Sequence, residues 1–121
     1  MSDFKRLKVW EKAHAVTLRV YSVTHPFPRE ETYGLVSQMR RAAVSTGANL
    51  AEGCGRNTTK EMAYFLRIAI GSTQELRYQL ILSKDLGWVT AEDQQGLESS
   101  VEEVRAMLDA LRRSLEGGSK H

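Results

Sequence analysis

Apolar residues recur along this chain three and four positions apart, and never alternate with period two. Val9, Ala13, Val16 and Val20 share one helical face, with Trp10 and Tyr21 beside it. They predict a first helix over about 7–24, with Phe4 placed ahead of it to fold back. His25-Pro26 stops that helix, because proline pushes the residue before it out of the helical region. Pro28 suits the first turn of a second helix, whose positive end Glu30 and Glu31 complement. That helix is expected over about 28–52, burying Leu35, Met39, Ala42, Ala43, Thr46 and Leu50, with Gly53 as a left-handed cap. Gly55 keeps the following turn open. Thr58 and Glu61 have capping-box spacing and open a third helix, expected over about 59–86, where Gly87 ends it. Thr90 with Asp93 starts the fourth, over about 91–116, in which Leu97, Val101, Val104, Leu108, Leu111 and Leu115 form one strict seam. Residues 1–6 and 117–121 are expected to be flexible. Four long amphipathic helices on short turns predict a single domain over 1–121, all-α, folded as an antiparallel up-down-up-down four-helix bundle.

Two stripes exceed what such a bundle needs. On the second helix Gln38, Arg41, Ser45, Asn49 and Glu52 line up, short hydrogen-bonding side chains where a solvent face would carry more Lys and Glu. This stripe is either a surface that another chain or ligand meets or a polar seam inside the bundle. Ser45, Asn49 and Glu52 are its central polar motif. On the third helix Met62, Leu66, Ala69, Thr73, Leu76, Leu80 and Ser83 form a core seam. Tyr64, Ile68, Gly71, Glu75, Tyr78 and Leu82 form another on roughly the opposite side. A lone bundle covers one seam, and tyrosine suits a contact that is apolar yet wet at its edge. The second seam is therefore the candidate oligomer interface.

Composition narrows the partners. Net charge is +2, but Met1–Arg56 carries nine basic residues against five acidic ones, and Trp88–His121 four against seven. The basic half is suited either to phosphates or to the acidic fourth helix of its own bundle. Arg40, Arg41, Arg56 and Lys60 are the candidate nucleic-acid contacts, the last two flanking the start of the third helix, where free N–H groups favour anions. The single Cys54 forms no internal disulfide and fits a reducing, cytoplasmic setting. The opening MSDFKRLKVWEK has no apolar signal core, and no apolar run approaches bilayer length, so no membrane role is expected.

No catalytic constellation emerges. His14, His25 and His121 lack ligand-spaced partners, so neither metal nor cofactor is expected. Cys54, between Gly53 and Gly55, could expose its thiol, yet the sequence names no base for it. Glu52 and Glu75 could each be a buried acid, paired with an arginine such as Arg41 or Arg56. The run Gly53–Lys60 lacks Walker spacing and follows a helix instead of a strand.

The strings FKRLKVWEKA, FPREETYGLVSQMRRAAVSTGANLAEGCGR and FLRIAIGSTQEL resemble the four-helix-bundle proteins encoded in intervening sequences of bacterial 23S rRNA genes. That family is similar in fold to the accessory variability protein of diversity-generating retroelements. The resemblance covers Phe4 to Leu86 and weakens along the fourth helix. Its most specific parts are RRAAVSTGANLAEGCGR, from Arg40 to Arg56, and GSTQEL, from Gly71 to Leu76. One departure is Thr46-Gly47-Ala48, where the family carries a bulkier aliphatic residue and often a proline. The resemblance implies a ring-like homopentamer without enzymatic activity. Its retroelement branch implies binding of nucleic acid and of a reverse transcriptase through a basic surface; its intervening-sequence branch carries no settled role. A protein-interaction scaffold that does not touch nucleic acid is the alternative.

Overall fold

A computed structural model describes residues 3–117. It contains four helices, α1 (Lys8–Thr24), α2 (Leu35–Cys54), α3 (Thr59–Asp85) and α4 (Ala91–Gly117), with one-turn 3-10 helices at Phe4–Arg6 and Arg29–Glu31. α1 and α3 each pack against both α2 and α4, which sets the helices around one four-sided core. Cross-helix bonds run in opposite numerical directions. Thr17 Oγ1 donates to the Ala43 carbonyl and Arg40 Nε to Thr24 Oγ1; Ser72 bonds Ser45, and Ser83 reaches Met39 Sδ. Lys12 pairs with Glu103 and Arg19 bonds Ser100, so α4 runs back along α1 as well.

The periodic positions fill the core. Val9, Ala13, Val16 and Val20 of α1 are buried, as are Leu66, Leu76 and Leu80 of α3. Leu97, Val101, Val104 and Leu108 of α4 are buried, while Leu111 and Leu115 only flank the core. The caps follow the sequence closely. Thr58 Oγ1 accepts from Glu61 N at 3.1 Å and Thr90 Oγ1 from Asp93 N at 3.0 Å, each satisfying a first-turn N–H that the helix leaves free. α3 ends where Gly87 turns left-handed at φ 83°, so that Trp88 N reaches the Ser83 carbonyl and Gly87 N that of Lys84.

Both ends of the second helix differ from expectation. α2 begins at Leu35, not at residue 28. Pro28 opens only the short 3-10 turn, and Gly34, at φ −109° and ψ −112°, interrupts helical continuity. Phe27 explains the detour: it is buried and its ring lies 5.6 Å from that of Trp88, so the chain must cross the end of the bundle before α2 can start. Glu31 then reaches forward, its Oε1 accepting from Leu35 N at 3.1 Å.

At the other end Gly53 is not a left-handed cap. The helix continues through Cys54, and Gly55 caps it with helical φ. Gly53 serves close packing instead. A Cβ there would lie 3.2 Å from Phe65 Cβ and 3.3 Å from the Met62 carbonyl oxygen.

The lead-in expected to be flexible is organised from Asp3 to Leu7: Asp3 Oδ1 accepts from Lys5 N at 3.1 Å, and the Phe4 ring meets Trp10 edge-on at 5.3 Å. Residues 118–121 of the expected flexible tail, including His121, lie outside the described residues. No described helix is long and apolar enough to cross a membrane.

Candidate interface on the second and third helices

The polar stripe of α2 is in part the internal seam that its sequence allowed. Its middle is a seam against α3: Asn49 Nδ2 donates to Ser45 Oγ and to the Ser45 carbonyl, both at 2.9 Å, and Ser72 Oγ donates to Ser45 Oγ at 2.8 Å. These bonds satisfy polar groups that would otherwise be costly to cover. The flanks, Gln38, Arg41 and Glu52, are exposed. Glu52 and Glu75 are both exposed, which corrects the expectation of buried acids. Glu52 is held by Arg56 at 2.5 Å, one turn away on the same side. Glu75 forms no ion pair among the described residues; it borders a small cavity of about 220 Å³ with Gln38, Arg41 and Ser72.

Cys54 is also corrected: it is buried, not exposed, and burial pushes its thiol pKa up. A thiolate is the nucleophilic form, so this position suits packing better than reaction. Among the described residues no group of three His, Cys, Asp or Glu is placed to hold a metal ion.

The four candidate phosphate-binding residues do not form one patch. Arg40 leans toward α1, its Nε donating to Thr24 Oγ1 at 3.0 Å and its guanidinium 4.5 Å from the Tyr21 ring centre. Arg41 lines both the cavity on the α3 side and the groove beside Tyr21 and Tyr33, and it is exposed with no ion pair among the described residues. Arg56 and Lys60 sit at the α2–α3 turn, about 22 Å farther along α2 at ~1.5 Å per residue. There Arg56 stacks 4.7 Å over Phe65 while paired to Glu52, and Lys60 is exposed beside a groove of about 400 Å³ that Tyr64 and Phe65 also line.

The second seam of α3 faces outward. Tyr64 is 58% and Tyr78 62% exposed, Gly71 and Glu75 are exposed, and Ile68 is half-buried. Leu82 departs from the others by packing partly against the core. Gly71 is informative because a Cβ there would meet nothing within 4 Å. Glycine in mid-helix costs about 1 kcal/mol relative to alanine, and nothing inside the bundle repays that cost here.

The periodicity of single helices did not find the second apolar surface, which spans α1, the connection before α2, and α2. Tyr33 is 96% exposed, and Leu18, Tyr21 and Val44 are also exposed. Tyr21, Tyr33 and Val44 border a groove of about 630 Å³. A second groove, of about 380 Å³, runs from Val44 to Ala51 beside Trp10 and His14, whose rings stack at 5.0 Å. The signal was present as Val44, Ala48 and Ala51, three and four apart on the side of α2 away from its core face.

α4 has the opposite character. Arg77 of α3 reaches Glu98 and Glu102, Lys12 of α1 reaches Glu103, and within α4 Arg105 pairs with Glu102 and Arg112 with Asp109. Its arginines hold Glu102 and Asp109 below the usual carboxylate range, chiefly through hydrogen bonds from Arg105 and Arg112 respectively. This is how a helix meets water, and from the basic half Met1–Arg56 the ion pair to α4 is that of Lys12 with Glu103.

Two comparisons with known proteins bear on the fold. The family model described as 23S rRNA-intervening sequence protein matches residues 5–110. The crystal structure of a protein of unknown function from the S23 ribosomal protein family of Bacteroides thetaiotaomicron superposes with a TM-score of 0.79 at 20% identity, covering 87% of this chain and 98% of that one. At that identity the likeness speaks for the fold alone. No curated protein matches the sequence.

Proposed function

The chain belongs to the 23S rRNA-intervening sequence protein family, and from that premise we propose that it is a self-assembling helical bundle without catalytic activity, joined through the outer face of α3. One observation carries this reading. Tyr64, Ile68 and Tyr78 form an apolar edge on a helix that already buries its core seam elsewhere, with an unexplained glycine between them. Covering exposed apolar surface contributes about 25 cal/mol per Å², so a sister copy on this edge is a favourable partner. The copy number proposed is five, the number the family resemblance implies. The setting proposed is the cytoplasm, where a lone buried thiol needs no partner.

Sedimentation equilibrium tests this. Unmodified protein should run at five times the 13.6 kDa chain mass. Tyr64→Asp with Tyr78→Asp should run as a single chain, and Ala106→Asp on the exposed side of α4 should leave the mass unchanged. An assembly indifferent to the tyrosine changes would remove α3 from the account.

Contact with nucleic acid is the second reading, favoured by Lys60 and Arg56 beside the Tyr64–Phe65 groove at the start of α3. It is weaker, because Arg56 is already paired with Glu52 and Arg40 is tied to α1. A phosphate binder loses affinity steeply with salt, and reversing charge at Arg41, Arg56 and Lys60 should abolish retention of an RNA probe. Unchanged retention by the variant would overturn this site assignment, while no retention by the unmodified protein would leave it a scaffold for other proteins, a reverse transcriptase among them.

A further inference from the structure

The outward positions of α2 are Ser37, Arg41, Val44, Ala48 and Ala51, with a single charge among them. The two grooves of the α1–α2 surface lie end to end along this strip and share Val44. Together they extend from Ser37 to Ala51. The edge of α3 extends from Tyr64 to Tyr78, the same number of residues, so strip and edge are each about 21 Å long at ~1.5 Å per residue. On α2 the strip offers small side chains apart from Arg41, with Tyr21, Tyr33, Phe4 and Trp10 lining the rest of its grooves, and Tyr64 and Tyr78 project from the edge.

Charge selects an orientation. Glu75 and Arg41 are both exposed and neither has an ion pair among the described residues. In their own chain they border one small cavity without pairing to each other. If Tyr64 of one copy is laid at Ala51 of another and Tyr78 at Ser37, Glu75 falls within one residue of Arg41 along the contact. In the reverse orientation Glu75 falls at Ala48, and Arg41 falls at Ile68. Only the antiparallel alignment unites the two charges.

We propose that the α3 edge of one copy lies antiparallel in the α2 strip of a second copy, with Glu75 facing Arg41 across the contact. This rests on the self-assembly reading and adds to it which surfaces meet. The contact is head-to-tail, because each copy offers its edge to one neighbour and its strip to another. Such a heterologous contact does not stop at a pair: it forms a ring where the rotation between copies closes and an open filament where it does not, and the five copies proposed above require closure.

Mixing two crippled chains tests the proposal. Tyr64→Asp/Tyr78→Asp spoils the edge and Val44→Asp/Ala48→Asp spoils the strip; all four positions are exposed, and circular dichroism checks the folding of each variant. Each variant alone should sediment as one chain, and an equal mixture should give a two-chain species through its one intact contact. Arg41→Glu and Glu75→Arg should each weaken assembly, and their combination in one chain should restore it. A strip variant that assembles like the unmodified protein overturns the proposal while leaving self-assembly standing. The same result with loss of a single-stranded RNA probe assigns the strip to nucleic acid and likewise overturns it. Unmodified protein that stays a single chain removes this proposal and the self-assembly reading together.

Discussion

Alanine placed at two helical glycines should shift stability in opposite directions. In an exposed helix interior Gly→Ala gains about 1 kcal/mol, mainly by reducing the freedom of the unfolded chain. At Gly71 nothing lies within 4 Å of the new methyl group, so that gain should appear in full. At Gly53 the methyl would lie 3.2 Å from Phe65 Cβ and 3.3 Å from the Met62 carbonyl oxygen. The first contact involves the stem of a side chain and the second is backbone, so α2 and α3 must separate slightly to admit it. Such overpacking costs typically about 1–3 kcal/mol, which exceeds the helical gain. Gly53→Ala should therefore lower stability by about 1 kcal/mol, while Gly71→Ala raises it by about as much. The assay is urea unfolding followed by far-ultraviolet circular dichroism, with both variants built on Tyr64→Asp/Tyr78→Asp so that assembly does not enter the equilibrium. Stabilisation by both substitutions would refute close α2–α3 packing at Gly53. Destabilisation by Gly71→Ala would show a neighbour at that surface within the single chain.

Other outcomes follow from single features. Thr58→Ala removes the hydroxyl that accepts from Glu61 N and should cost about 1 kcal/mol in the same unfolding assay, with Thr58→Ser restoring most of it. Leu66→Ala, at a fully buried position, should cost about 2–5 kcal/mol. Glu102 and Asp109 have folded pKa values below their unfolded ones, so their contribution is present above the unfolded carboxylate range and lost as pH falls through the folded values. Acid titration of Glu102→Gln/Asp109→Asn should accordingly show a shallower loss of stability than the parent. Cys54 should react slowly with a thiol reagent in native protein and at the free-thiol rate in urea, since burial both shields it and disfavours the thiolate.

The core faces of all four helices were legible because burial imposes the helical period directly on the sequence. Thr58, Thr90 and Gly87 were legible because caps answer to local backbone chemistry. The start of α2 was not, since Pro28 and the acids after it are good local helix signals. The burial of Phe27 against Trp88 is decided by a partner some sixty residues away. Gly53 misled for the same reason: a glycine near a helix end reads as a cap, and only the nearness of Phe65 reveals it as a packing site. At the candidate interface the outward seam of α3 was readable from its tyrosines. The α1–α2 grooves were not, because Tyr21, Tyr33 and Val44 lie on three segments that only the folded chain brings together. The basic residues were grouped by closeness in sequence, and the length of α2 separates them.

The central claim is that the outer edge of α3 is covered by a sister copy. Light scattering of the unmodified protein from low to high micromolar concentration tests it most directly. The account predicts a mass of several chains that falls only on strong dilution. A mass of 13.6 kDa at every concentration, with Tyr64 and Tyr78 left in water, would contradict it.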